Sequence, residues 1–231
     1  MWRGLALVLM TGTAQAEVTL SAKVRDAILA DPTDRYDHGV LGDKLEWGAL
    51  TITLRAVPEV PPLTVTLPDS RVFEDVEARL VDVTGDGWPE VVVVETDVDL
   101  GASLAVYGQF GKIAATPFIG EPHRWLAPAG VGDFDGDGRV EIAYVDRPHL
   151  LRELVFVRLE GPTLRELGRI PNLTNHQIGD DFITGGVRDC GRGDELVLAS
   201  GDWTQAMVVT MAGARVAGAV DRIPALMDCR D

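Results

Sequence analysis

The chain has 231 residues, 46% of them apolar and 25% charged, with a formal net charge of −15. That apolar content supports a full core and excludes intrinsic disorder as the main state. The negative charge argues against nucleic acid and anionic membrane as partners. Gly occurs 25 times and Pro 13 times, which favours turns over long helices, and two cysteines are too few for a disulfide scaffold.

Residues 1–16 read as an address. Arg3 precedes the apolar run 4–10, and Ala14-Gln15-Ala16 ends it in Ala-x-Ala. This is the layout of a secretory signal peptide cut after Ala16. The run is too short to span a bilayer, and no later apolar stretch is long enough. The expectation is therefore a single exported domain, residues 17–231, periplasmic or secreted and without membrane insertion. In an oxidising compartment Cys190 and Cys229 are expected to form one bridge.

Four similar segments follow in chain order. The first is short: Gly39-Val40-Leu41-Gly42-Asp43-Lys44-Leu45-Glu46. The second is Leu80-Val81-Asp82-Val83-Thr84-Gly85-Asp86-Gly87-Trp88-Pro89-Glu90. The third begins 51 positions later as Val131-Gly132-Asp133-Phe134-Asp135-Gly136-Asp137-Gly138-Arg139-Val140-Glu141. The fourth is Gly186-Val187-Arg188-Asp189-Cys190-Gly191-Arg192-Gly193-Asp194-Glu195. Each final Glu opens a short β-rich run, such as Val91-Val92-Val93-Val94 or Ile142-Ala143-Tyr144-Val145. A second strand follows in most units, and 73–80 reads as a strand leading into the second loop.

About four strands per unit of about 50 residues predict an all-β fold. The expectation is a compact β-propeller of about four blades, each a small antiparallel sheet, with repeat cores near 34–60, 72–110, 123–168 and 176–217. A β-sandwich or an open stack of sheets is the alternative. Residues 17–36 read as a strand completing the last blade, since closing a ring removes sheet edges, or else as a short helix ended by Asp31-Pro32.

The acidic loops have the composition of a hard-cation site. Asp133, Asp135, Asp137 and Glu141 alternate along a glycine-rich turn, and the Arg139 carbonyl adds a further oxygen. Calcium takes six to eight such oxygens. Asp82, Thr84, Asp86, Glu90 and the Trp88 carbonyl form a second set, weaker by one charge because Thr84 is neutral. One or two calcium ions are thus expected, against solvated acidic turns as the alternative. The last acid comes at position nine rather than twelve, which argues against an EF-hand. No Cys or His joins the loops, which argues against zinc or iron. In the fourth segment an acid is missing where Asp133 would be. There Arg188 and Arg192 either take the cation's place, pairing with Asp189 or Glu195, or are solvated charges. No metal is expected there or around Asp43 and Glu46.

The Asp-x-Asp-Gly-Asp-Gly-x-x-Glu loop opening a strand resembles the FG-GAP or VCBS repeat family, including small exported bacterial members. That resemblance implies blades of the integrin-alpha-type β-propeller, with calcium in the loop between two strands. It carries the ligand roles to Asp133, Asp135, Asp137, Arg139 (carbonyl) and Glu141, and to Asp82, Thr84, Asp86, Trp88 (carbonyl) and Glu90. The chain departs in size, with room for four or five blades, not seven. Phe110-Gly111 occurs once, and Ala127-Pro128-Ala129-Gly130 only approximates the Gly-Ala-Pro signature.

No catalytic constellation stands out: there is no Gly-x-Ser-x-Gly elbow, no His-Glu-x-x-His and no phosphate loop. His123 and His176 precede their acidic loops in similar places, which suggests a repeated structural bond between blades. Trp47, Trp88, Trp125 and Trp203 recur near the units and suit packing between sheets, or sugar binding. The function expected is a non-catalytic binding or scaffold module with structural calcium and an unidentified protein or glycan partner. The alternative is a small periplasmic carbohydrate-binding protein or hydrolase.

Overall fold

The computed structural model describes residues 22–42, 44–56 and 59–230. The expected signal peptide, residues 1–16, and Asp43 of the first short segment lie outside the described residues.

Among the described residues the regular structure is almost all β-strand, in three antiparallel sheets. The first holds eight strands: β1 (Lys23–Thr33), β2 (Glu46–Arg55), β3 (Leu63–Thr66), β4 (Arg71–Phe73), β5 (Arg79–Val81), β6 (Glu90–Asp97), β7 (Gly101–Gly108) and β8 (Gly111–Ala115). Its order is β1-β2-β4-β6-β7-β8, with β3 on β2 and β5 on β6. The second sheet has four strands, β9 (Leu126–Gly132), β10 (Glu141–Asp146), β11 (Glu153–Glu160) and β12 (Thr163–Pro171), in sequential order. The third has five: β13 (Leu173–Thr174), β14 (Gly186–Asp189), β15 (Asp194–Ser200), β16 (Gln205–Thr210) and β17 (Gly213–Ala219). A short helix, α1 (Ile223–Met227), follows.

The four-bladed propeller is therefore overturned. The units around the first and second segments are not separate blades. They merge into one sheet through β4, which pairs with β2 at Trp47↔Phe73 and with β6 at Val72↔Thr96. Among the described residues no sheet closes on itself, and the three sheets form no ring of four blades. The segment after the expected leader is a strand, as read, but it completes no last blade. β1 pairs with β2, placing Leu29 opposite Leu50 and Ala27 opposite Ile52.

One further strand is interrupted. The run 73–80 breaks between β4 and β5 because two buried acids take over the ladder. Glu74 donates its N–H to the Val94 carbonyl, and the Asp75 carboxylate accepts the Val94 N–H at 2.8 Å while pairing with Arg79.

Strand periodicity explains the core. Side chains alternate across a strand, so Ile142 and Tyr144 of β10 meet Val92, Val94, Leu104 and Val106 of the first sheet. Ala143 and Val145 of the same strand face Leu196, Leu198 and Val209 of the third sheet. The other face of β6 and β7, with Val91, Val93 and Tyr107, is covered by Val24, Leu50 and Ile52 from β1 and β2. Helix α1 covers the outer face of β15 and β16 with Ile223 and Leu226. Central strands buried on both faces are why their sequences read as continuous apolar runs.

Two glycines set the spacing between the second and third sheets. A Cβ on Gly130 would lie 2.2 Å from Val187 Cγ2, and one on Gly132 would lie 2.6 Å from Asp194 Oδ2. The Cys190–Cys229 bridge forms as expected and ties the tail beyond α1 to the loop after β14. Among the described residues no helix is long and apolar enough to cross a membrane.

Candidate cation-binding loops

Each long acidic loop joins the first two strands of a hairpin. Loop 82–90 joins β5 to β6, and loop 133–141 joins β9 to β10. Loop 189–195 joins β14 to β15 and is two residues shorter. Pairing across these hairpins sets Val81 against Glu90, Gly132 against Glu141 and Arg188 against Glu195. The next residue after each first partner is an acid: Asp82, Asp133 or Asp189. The acid thought missing from the third loop is therefore present as Asp189. What that shorter loop lacks is the pair of mid-loop ligand positions.

The first acid builds the loop from inside. Asp133 Oδ1 accepts the N–H groups of Gly136 and Asp137, and Oδ2 accepts that of Gly138 at 2.8 Å. Asp82 does the same for Gly85, Asp86 and Gly87. Asp189 accepts the N–H groups of Gly191, Arg192 and Gly193. Gly136 and Gly138 have φ of 77° and 84°, a region open to glycine at little cost.

In loop 133–141 the carboxylates converge. One oxygen each of Asp133, Asp135 and Glu141 lies within 4.8 Å of the others, the one such group of three or more His, Cys, Asp or Glu among the described residues. Asp137 stands beside them. Glu141 is fully buried at the start of β10, accepting the Phe134 N–H at 2.9 Å.

The structure adds a participant that the motif does not contain. Arg158 lies directly across from Glu141 on β11, since Ile142 pairs with Val157. Its guanidinium bonds Glu141 through Nε at 2.8 Å and through Nη2, and reaches Asp135 and Asp137 at 3.0 Å each. It is almost completely buried. Counting across the β10–β11 hairpin would locate it; reading the acidic motif alone does not. The same count in the previous unit places Gly108 opposite Glu90.

Loop 82–90 is arranged differently. Glu90 is bound by the Val83 and Thr84 N–H groups and by the Thr84 hydroxyl. Asp86 pairs with Lys23 of β1 at 2.5 Å, and Lys23 and Arg55 lie over the Trp88 ring. Asp82, Thr84, Asp86 and Glu90 thus serve the loop itself and do not draw together like the carboxylates of the other loop. Trp88 and Arg139, expected to offer carbonyls, are each anchored by N–H to the preceding acid, Asp86 or Asp137. In the third loop Arg188 pairs with Glu195 at 3.0 Å, with Arg215 on its other oxygen.

Ionisation follows these contacts. The Arg139 side-chain and backbone bonds hold Asp137 down to about 2. Lys23 holds Asp86 below the usual carboxylate range. Burial pushes Glu90 and Glu141 upward, opposed at Glu141 by Arg158.

The histidines form no repeated bond. His176 is buried and bonds His149, whereas the exposed His123 gives its backbone N–H to the Tyr36 hydroxyl. Of the tryptophans, Trp125 is buried between sheets and Trp88 lies at the rim of loop 82–90.

No curated protein and no solved structure matches the chain. Residues 82–144, the stretch that carries both long acidic loops, match the family model of the FG-GAP-like repeat.

Proposed function

We propose that the chain is an exported, non-catalytic binding or scaffold module in which loop 133–141 takes one calcium ion in a structural role. The observation that carries this reading is the convergence of Asp133, Asp135 and Glu141 within 4.8 Å. Hard carboxylate oxygens at that spacing suit calcium, and Asp137 is placed to join them. Loop 82–90 brings no comparable set together, so the proposal is one ion, not two. The ion displaces Arg158 from the carboxylates, so affinity is modest. Export to the periplasm or the medium is supported by the residue pattern of 1–16 and by the Cys190–Cys229 bridge, which belongs to an oxidising compartment.

The test is a thermal melt of the oxidised, metal-stripped protein with and without millimolar calcium, with magnesium as control. Calcium binds the folded loop and not the unfolded chain, so it raises the melting temperature by linkage. Asp135→Ala abolishes that rise. A wild-type melt indifferent to calcium, or an equal rise in Asp135→Ala, removes the calcium reading.

A further inference from the structure

A cleft of about 240 Å³ lies at the seam between the first and second sheets. One wall is the segment 116–119 that leaves β8, and the other is built by β10, β11 and β12. Both walls are preformed. The Thr116 and Ile119 N–H groups bond the Leu104 and Ala102 carbonyls of β7 at 2.9 and 3.1 Å, so the first wall extends the first sheet. In the second wall, Tyr144 and Asp146 stand two apart on β10, and Leu164 and Glu166 stand two apart on β12, so each pair shares a face. A register shift opposite Phe156 and Val157 adds one residue to β12, which brings Arg169, three positions after Glu166, to that same face.

Charge in the cleft is paired and balanced. Arg169 bonds the two Glu166 oxygens at 2.8 Å each and Asp146 at 2.9 Å. Arg147 bonds Asp146 through Nε at 2.8 Å and Nη2 at 3.1 Å. Two carboxylates thus meet two guanidiniums, a net of zero in a chain that carries −15. The pairing fixes these side chains without exhausting them, because each Glu166 oxygen and Asp146 Oδ1 accepts one bond and has room for a second. Tyr144 is more telling. It is 7% exposed and lines the cleft, yet among the described residues its hydroxyl has no hydrogen-bond partner. A tyrosine buried to this extent ordinarily finds one. Burial, and then the Asp146 carboxylate, push this phenol above its ordinary value, so it stays a hydroxyl. Leu126 and Leu164 give the cleft a buried apolar floor, and the half-buried Phe118 ring stands at its edge with the Arg71 guanidinium 5.0 Å from the ring centre.

We propose that this cleft binds one uncharged pyranose ring, through the Tyr144 hydroxyl and the Asp146 and Glu166 carboxylates, with the ring's C–H face against Phe118. A lining of zero net charge gives no advantage to an ion. Fixed carboxylate oxygens accept from neighbouring sugar hydroxyls, and a few placed polar groups beside apolar and aromatic side chains are what orient a small ligand. The volume is below the roughly 300–1,000 Å³ of pockets for drug-sized ligands, so a single ring fills it. The same ring is available as a free hexose or as the end of a glycan chain. The inference rests on the reading of the chain as a binding module, and not on its calcium ion.

The experiment is saturation-transfer NMR, then calorimetry, of the oxidised, metal-stripped chain with glucose, galactose, mannose and N-acetylglucosamine. Each is offered as the free sugar and as the end of a trisaccharide, with glucuronate as the charged control. Expected is saturable binding of at least one neutral sugar, and none of glucuronate. A trisaccharide that binds more tightly than its terminal sugar assigns the cleft to a glycan end, and equal affinity assigns it to the free sugar. Tyr144→Phe, which removes the hydroxyl alone, weakens binding about five-fold, and Glu166→Gln weakens it by at least as much. Asp135→Ala leaves it unchanged, so the sugar and calcium readings stand or fall separately. Glu166 lies at the exposed rim, so its variant decides the matter even if Tyr144→Phe fails to fold. Absence of binding by every neutral sugar, glucuronate bound as tightly, or wild-type affinity in Glu166→Gln overturns the proposal.

Discussion

Replacing Arg158 with Met tests how loop 133–141 manages its charge. The wild-type guanidinium faces Asp135, Asp137 and Glu141 from a nearly dry position. Asp135 and Asp137 are about a third exposed, so water can replace the arginine there at little cost. Glu141 cannot recover in that way, because its side chain is fully buried and the Phe134 N–H is the hydrogen bond that stays. Breaking a buried pair from one side costs about 3–5 kcal/mol, and the remaining hydrogen bond places this case near 3 kcal/mol. For a domain of this size that lowers the melting temperature by roughly 6–12 °C in metal-free buffer. Calcium then reverses the effect. Four carboxylates remain in the loop with only Arg139, paired to Asp137, as a cation, so the variant binds calcium more tightly than the wild type and gains more degrees at a given calcium concentration. Scanning calorimetry of both proteins across a calcium titration measures each quantity. If Arg158→Met melts with the wild type in chelator and responds identically to calcium, Arg158 neither neutralises the loop nor competes for it.

Three further outcomes follow from the same contacts. Cys229→Ser opens a bridge spanning 39 residues and should cost about 3–4 kcal/mol by loop entropy, read from urea midpoints against the oxidised wild type; no loss would mean α1 holds the tail unaided. Gly130→Ala drives a methyl into Val187 and costs near the top of the roughly 1–3 kcal/mol range for overpacking, whereas Gly136→Ala, with open space but φ of 77°, costs about 1 kcal/mol; equal midpoints would refute the glycine spacing of the sheets. His149 has a folded pKa of about 4, below its unfolded value, so the unfolded chain takes up that proton first and stability falls between about pH 6.5 and 4. Glu74, whose folded pKa is raised by burial, works in the opposite direction on acidification, so the readout is the difference between wild type and His149→Gln: the variant loses less stability across that window. Parallel pH profiles would contradict the assignment.

The hairpins were legible because local pattern determines them. Apolar runs after each Glu, closed by glycine turns, are strands whether the sheet is open or closed. Ring closure was not legible, because it depends on which edges find each other. A three-residue strand, β4, joins two repeats into one sheet, and β1 pairs with its sequence neighbour β2. Neither choice leaves a periodic signature. The buried acids Glu74 and Asp75 hide further, since a strand with a side-chain bridge in its ladder reads as an uninterrupted strand.

The acidic motif was legible as a loop, but its chemistry was under-determined for a specific reason. An aspartate at the first position has two uses: it can ligate an ion, or it can gather three backbone N–H groups into a turn. Asp82, Asp133 and Asp189 all do the second, including Asp189 in a loop from which the mid-loop acids are gone. The first Asp therefore carries little information about metal. The discriminating position lies across the hairpin, opposite the last acid, where the three units hold Gly108, Arg158 and Thr210. Basic partners come from elsewhere in the outer two: Lys23 reaches Asp86, while Arg188 and Arg215 reach Glu195. Each loop thus combines an acid that shapes the turn, an acid that opens the strand and a basic side chain drawn from a different place. Among the described residues, only in loop 133–141 does that basic group sit among converging carboxylates, and there the geometry on which the proposed calcium site rests also supplies its competitor.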